Sequence, residues 1–302
     1  MAALKASGEE VKRLDARLRA IETALESQAL VIPNFPSDRI PDGGATANRV
    51  LRSWGEPPRF DFKPRPHWEL GAALGLLDLA AGAKITGSGF PLFRGMGARL
   101  VRALREFMLD VHTREHGYEE IVPPYLVNRA SLVGTGQLPK FEEELYHAEL
   151  DDLFLIPTAE VPVTNVHRDD ILDRAALPIA YTAWTPCFRS EAGSYGKDVR
   201  GLIRVHQFDK VELVRFCRPE ESDAEHERMT RHAETILERL EIPYRVLELA
   251  AGDIGFASAR TLDLEAWAAG VGAWLEVSSS SCFTDFQARR ANIRFRPEPK
   301  AK

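Results

Sequence analysis

An α+β fold, built on an antiparallel sheet flanked by helices and preceded by a separate N-terminal helix, is expected from three observations. Short apolar or alternating runs at 152–156, 179–189, 202–216, 244–249, 261–267 and 273–277 read as strands in meander order, with helical stretches between some of them. Residues 187–214 read as two strands joined by a Gly-rich, basic loop, the signature of a hairpin. No GxGxxG follows a strand and no P-loop is present, which argues against a Rossmann-type nucleotide site.

Along the chain, residues 6–30 predict a helix whose Val11, Leu14, Leu18, Ile21 and Leu25 are spaced 3, 4, 3, 4, a coiled-coil seam flanked by Glu, Lys and Arg. That stripe needs a partner, either its own domain or another helix. Pro33, Pro36, Pro41 and the Gly43–Gly44 pair then break the helix. Residues 37–66, polar and rich in Pro and Gly, predict an extended connection with little regular structure. From His67 the core begins, with a helix predicted over 68–80. A stronger one is predicted over 96–113, with Leu100, Leu104, Phe107, Met108 and Val111 on one face and Gly117 just past its end. Ser222 and Glu225 form a plausible capping box for a helix running to Leu240. Three segments result: 1–33, a 34–66 linker and a 67–302 core. No internal repeat or low-complexity tract interrupts them.

Bulk properties exclude several classes. With 44% hydrophobic and 28% charged residues the composition is that of an ordinary soluble globular protein, and 302 residues can bury a substantial core. A net charge of −6 excludes a whole-molecule electrostatic binder of nucleic acid. The cluster of Arg289, Arg290, Arg294, Arg296, Lys300 and Lys302 reads equally as a solvated strand and tail. Cys187, Cys217 and Cys282 are odd in number and far apart, which argues against a disulfide framework or a structural zinc site and for a reducing compartment. With no apolar leader and no apolar run of membrane length, the cytoplasm is the default location.

The chemistry concentrates in the 187–214 hairpin. Alternation puts Arg189 and Glu191 on one face of the first strand, with Phe188 and Ser190 on the other. In the second strand Arg204, His206, Phe208, Lys210 and Glu212 share a face. Ile203, Val205, Val211 and Leu213 lie opposite, interrupted by Gln207 and Asp209. Such a charged face around one Phe is a poor core and a good floor for an anionic, aromatic ligand. On pattern alone, an amphipathic hairpin with a solvated polar face accounts for it as well.

Identity goes further than pattern. FRSE, a loop and RVHQFDKVE resemble motif 2 of the class II aminoacyl-tRNA synthetases, in the wording of bacterial-type seryl-tRNA synthetases. GYEEIVPPYL (117–126) resembles motif 1, with Pro124 at its proline. GTGQLPKF (134–141) and PTAEVPVTN (157–165) are similar to the family's serine-binding region. The resemblance spans roughly residues 50–297 with the motifs in order.

It implies a class II synthetase-like antiparallel sheet and activation of L-serine by ATP to seryl-adenylate, followed by transfer to tRNA(Ser). Two anions must approach each other, so the site needs fixed positive charge more than a nucleophile or base. By resemblance Arg189, Glu191 and Glu212 form the catalytic set, with Arg189 bridging the serine carboxylate and the α-phosphate. The ATP site is expected from Arg189, Ser190, Glu191, Val205, Phe208, Glu276, Val277, Ser278 and Ser279. In it Glu191 reads the adenine amino group, Phe208 stacks on the base and Val205 lines the pocket. Serine is expected to meet Thr158, Ala159, Glu160 and Glu212. Mg²⁺ on the ATP phosphates is expected to meet Glu276 and Ser279, oxygen ligands suited to a hard ion. Strict strand alternation would put Glu276 with Ser278 instead, so either a bulge or the backbone must contribute. Lys197 and Arg200 are expected to be solvated until a substrate arrives, and His206 to be structural.

The resemblance also implies a homodimer built on motif 1, and reads the N-terminal helix as the remnant of a helical tRNA-binding arm. The family's third motif, a strand and helix with a γ-phosphate-binding arginine, is missing from the core. The expectation is therefore a chain truncated at both ends, with weak or absent activity of its own. A carrier-protein ligase and a non-catalytic paralogue are the other readings. The lack of a Cys/His cluster argues against the first, and the intact Arg189, Glu191, Phe208 and Glu212 against the second.

Overall fold

The computed structural model describes residues 2–192 and 200–297, so Lys197, Lys300 and Lys302 lie outside the described residues. The chain divides into two compact units, residues 1–33 and 34–302. The first is a single helix, α1 (Ala2–Ala29), followed by a short turn. Its seam residues Val11, Leu14, Leu18, Ile21 and Leu25 are all about half exposed or more.

The second unit carries two sheets. One is four-stranded and antiparallel, in the order β1 (Arg49–Trp54), β9 (Tyr244–Glu248), β10 (Arg260–Ala268), β11 (Ala273–Cys282). The other orders β2 (Glu119–Glu120), β7 (Ile179–Phe188) and β8 (Gln207–Phe216), with β7 and β8 antiparallel and β2 parallel to β7. Among the described residues β8 is paired only to β7 and β11 only to β10.

Helix α7 (Ser222–Arg239) covers one face of the larger sheet. Its Leu237 packs with Tyr244, Val246, Leu262 and Leu264, the alternate residues of β9 and β10. Buried Glu234 is held by Arg52 on β1, by Arg231 and by the Tyr244 hydroxyl, which donates at 2.8 Å. A buried carboxylate needs such partners, and here they fasten the helix to two strands. With the even-numbered residues of β10 turned toward α7, Thr261, Asp263 and Glu265 face the other way.

Helix α4 (Met96–Arg114) precedes β2, and its C-terminal turn meets α7 through histidines. The His116 and His232 rings stack at 4.0 Å, and His232 Nδ1 lies 3.1 Å from the Tyr118 hydroxyl. A third, small sheet orders β3 (Leu126–Asn128), β5 (Leu153–Leu155) and β4 (His147–Ala148). With α5 (Arg129–Thr135) and α6 (Glu160–Thr164) it encloses a core of Val127, Leu132, Leu138, Phe154, Ile156 and Val161. Strands β6 (Ile171–Asp173) and β12 (Arg294–Arg296) pair in parallel, with α8 (Phe286–Arg290) just before β12. No helix of the described residues is long and apolar enough to cross a membrane.

Several local expectations are corrected. Residues 37–66 are not uniformly irregular, because β1 forms an edge of the larger sheet. The predicted 68–80 helix is two, α2 (His67–Ala73) and α3 (Leu79–Ile85). Gly75 takes φ +65° between them, and the Asp78 side chain caps α3 by accepting from the Ala81 amide. On α4, Leu100 is 54% exposed, although its face-mates Leu104, Phe107 and Met108 are half-buried and Val111 is buried. The Ser222–Glu225 box does not form: a 3₁₀ turn leads directly into α7, and Glu225 instead pairs with Arg215. Strand β11 runs to Cys282, five residues beyond the predicted end at 277. Strand β8 starts at Gln207, leaving Arg204 and His206 before it.

Candidate active site

The two open strand edges, β8 and β11, both border a cavity of about 1210 Å³. Arg189, Glu191, Thr158, Glu160, Glu212 and Ser279 line it, drawn from separate parts of the sequence.

Arg189 follows the last residue of β7 and is clamped by its neighbour across the hairpin. The Arg189 amide donates to the His206 carbonyl at 2.9 Å, and His206 Nδ1 donates back to the Arg189 carbonyl at 3.0 Å. Gly89 closes on the same histidine: its carbonyl accepts from the His206 amide at 2.8 Å, and a Cβ there would sit 2.4 Å from the ring. His206 thus braces the hairpin beside Arg189. The Arg189 guanidinium lies 5.1 Å from the Phe208 ring centre, with Nε donating to the Pro157 carbonyl at 3.3 Å. Glu191 takes φ +52° and so leaves the strand path, and its carboxylate is ion-paired with Arg204.

The Thr158–Glu160 triplet sits where the chain turns from β5 into α6. Ala159 is wholly buried against Val163 and Ala183, so it shapes the turn and its side chain does not reach the cavity. Glu160 is held by the Gln287 amide of α8, which also donates to the Thr135 carbonyl at 3.2 Å. Burial and the neighbouring Glu212 charge push the Glu160 carboxyl up to about 7, although Gln287, Lys210 and Arg189 oppose the rise. Glu212 moves the other way. Burial would raise it, but Lys210, a hydrogen bond from Thr158 and the Arg189 charge outweigh that and hold it below the usual carboxylate range.

The Glu276–Ser279 puzzle is resolved by a bulge. Along β10 and β11, Asp263 faces Ser279 and Leu264 faces Ser278, but Glu265 faces Glu276, leaving Val277 as the extra residue. Asp263 and Glu265 are two apart and share a face, so Ser279 and Glu276 share it too. Ser278 consequently turns with Leu264 to the α7 side, and Val277 is 53% exposed. Ser190 also does not reach the cavity, since its hydroxyl donates to the Glu143 carbonyl at 2.7 Å. Val205 is buried beside the hairpin. Arg200 is exposed and lies 5.1 Å from the Trp68 ring centre.

Four residues of the site were not singled out from the sequence. Lys210 and Arg204 were visible on the charged face, each next-but-one to, or across from, a carboxylate it pairs with. Gln287 carried no periodic signal. Asp263 is an acid in an apolar run, 8% exposed, with an Oδ1 that has no hydrogen-bond partner. Burial pushes it up to about 7, the Ser279 hydroxyl drawing it back, while Glu276, Glu265 and Asp253 add to the rise.

The cavity thus sets a fixed guanidinium against carboxyls of unlike ionisation, beside an antiparallel sheet with a bulged strand carrying Glu and Ser. Residues 140–302 match the family described as tRNA synthetase class II core domain (G, H, P, S and T). The serine--tRNA ligase of Geobacillus kaustophilus is 57% identical over 296 residues, which cover 98% of this chain and 70% of that protein. That of Gemmatimonas aurantiaca is 60% identical over 293 residues, covering 97% and 69%. A crystal structure of seryl-tRNA synthetase from Pyrococcus horikoshii complexed with ATP superposes with a TM-score of 0.92 at 39% identity, covering 99% of this chain and 72% of that one. The chain belongs to the seryl-tRNA synthetase family.

Proposed function

We propose that this chain activates L-serine with ATP and transfers the seryl group to tRNA(Ser), using the cavity between the two sheets. The observation that carries this reading is the convergence of Arg189 with Thr158, Glu160 and Glu212, one fixed cation facing a cluster of acceptors. Serine places its carboxylate toward Arg189, where the α-phosphate of ATP also arrives, and its ammonium and hydroxyl toward the acceptors. A carboxylate oxygen bonds to the α-phosphorus, the bond to the bridging oxygen breaks, and pyrophosphate leaves. The guanidinium offsets the charge gathered on both partners. In the second step a ribose hydroxyl oxygen of the tRNA end bonds to the carbonyl carbon. AMP departs, and the hydroxyl proton passes to its phosphate or to water. Adenine is read by Glu191 and stacks on Phe208.

The donor set fits Mg²⁺. Glu276 and Ser279 share a face, and the buried Asp263 carboxylate behind Ser279 retains an oxygen without a partner. Among the described residues no group of three His, Cys, Asp or Glu side chains could hold a metal, so the ion would rest on Glu276, Ser279 and the ATP phosphates, as Mg²⁺ commonly does. When bound it would neutralise phosphate charge.

Residues 1–33 are read as the remnant of a helical arm for tRNA, 34–66 as a linker that contributes β1, and 67–302 as the catalytic core. Homodimerisation through α4 and the motif 1 strand is supported by the apolar residues exposed there. The cytoplasm is the proposed location.

Serine-dependent exchange of pyrophosphate into ATP tests the reading on the purified chain. Exchange with serine should far exceed that with alanine, whose methyl group offers the Glu212 acceptor no hydroxyl. Arg189→Ala should lower it by roughly 100-fold. Exchange that is absent, or indifferent to the amino acid, would reject it.

A further inference from the structure

Lys210 stands two residues before Glu212 on β8, so both side chains leave the strand on one face. Its ammonium lies 2.7 Å from Glu212 Oε2 and 2.8 Å from Thr158 Oγ1. The Thr158 hydroxyl closes the triangle by donating to the same Glu212 oxygen at 2.6 Å. A hydroxyl has one proton to give, so the lysine decides how it is spent: with Nζ donating to Oγ1, the proton points at Glu212. The surroundings make the cation necessary. Glu160 is a second carboxyl in the same cavity, and two half-buried carboxyls side by side do not both ionise without a compensating charge. Arg189 is the other cation near them, and it is engaged by the Pro157 carbonyl and the Phe208 ring. Glu191 shows the same arrangement at the other end of the site, its carboxylate held by Arg204.

We propose that Lys210 is a positioning residue for amino-acid selection: it fixes the Thr158 hydroxyl in one orientation and keeps Glu212 an anionic acceptor, so that the pocket requires a side-chain hydroxyl. It acts through Thr158 and Glu212 and rests on the reading of this cavity as the serine pocket. Removing the cation leaves the Thr158 proton free to turn and leaves Glu212 beside Glu160 with less to hold it ionised. Selection then weakens first near neutral pH and recovers as the pH rises.

The test is calorimetric binding to the 302-residue chain of two non-hydrolysable adenylates, the seryl- and alanyl-sulfamoyl adenosines, and of ATP alone, between pH 6 and 8.5. Lys210→Met keeps the length and removes the charge. It should bind ATP as the parent does and lose roughly tenfold or more for the seryl compound at pH 7. The seryl-to-alanyl ratio should fall toward unity, with an affinity that climbs with pH where the parent's is flat. Lys210→Ala with added propylammonium provides a second arm, since a free ammonium should restore the seryl preference. Unchanged preference and pH profile in Lys210→Met, or no response of Lys210→Ala to the amine while ATP still binds, overturns the proposal. If the parent chain binds ATP but does not prefer the seryl compound, the serine pocket itself is wrong and Lys210 falls with it. A preference lost only in the variants isolates the lysine.

Discussion

Glu160 and Glu212 occupy one cavity, yet their ionisation diverges because only Glu212 is paired with a lysine and a hydroxyl. The Glu160 carboxyl, raised from 4.5 to about 7, binds its proton more tightly in the folded chain than in the unfolded one. Its contribution to stability is therefore full below about pH 4.5 and is lost as the pH rises toward 7. The shift of 2.5, from 4.5 to 7, corresponds to about 3 kcal/mol at most. His112, lowered to about 3, and His232, lowered to about 4, both mainly by burial, act oppositely and cost stability as the pH falls below 6.5. Glu160→Gln leaves those histidines in place. Urea unfolding of the parent and the variant across pH 4–8 should give a difference that changes between 4.5 and 7 and is flat outside. A parallel pair of curves would mean that Glu160 titrates as an ordinary carboxylate. The chemistry of both acids was legible in the PTAEVPVTN and DKVE stretches. Their unlike ionisation was not, because it depends on which cation the fold brings within 3 Å.

Strand β11 shows how one inserted residue re-aims a set of side chains. Val277 has no partner on β10, and this slip turns Glu276 to the face of Ser279 and Asp263. Glu276→Gln should keep the bulge and that face and remove its negative charge. Titration of the chain with ATP should then show the affinity gained on adding Mg²⁺ reduced roughly tenfold, with metal-free ATP binding retained. An undiminished Mg²⁺ effect would remove Glu276 from the cation site. Strict period-two reading exposed the conflict between Glu276 and Ser279 but could not place the bulge. The run of serines that follows has no residue whose preference marks one position over another. The two-helix break at Gly75 and Asp78 escaped notice for a related reason: the apolar run continues across it, and only the glycine and the cap carry the signal.

The second unit exposes a set of large apolar side chains along α2 to α4 and the segment after β2, notably Leu74, Ile85, Met96, Leu100 and Val122, each more than half exposed. These are the side chains that the proposed dimer interface would cover. Equilibrium sedimentation should find the chain as a dimer at micromolar concentration, and Leu100→Glu should shift it to monomer. A monomeric parent would overturn the motif 1 interface. Sequence matching had already reached this surface through GYEEIVPPYL, whereas helical periodicity alone put Leu100 on one face of α4 without saying what that face meets.

Motif identity and periodicity were enough to establish the family and the antiparallel α+β architecture and to name Thr158, Glu160, Arg189, Glu191, Glu212 and Ser279, which line the cavity, because these follow from side-chain order along single strands and turns. The pairing of Lys210 with Glu212 and Thr158, the capture of Glu160 by Gln287 and the buried, half-satisfied Asp263 required the folded chain. Each joins or isolates groups that are distant in sequence or set by strand register. A carboxyl's charge depends on the dielectric and the partners around it, and neither is a property of the residue or its neighbours in the chain.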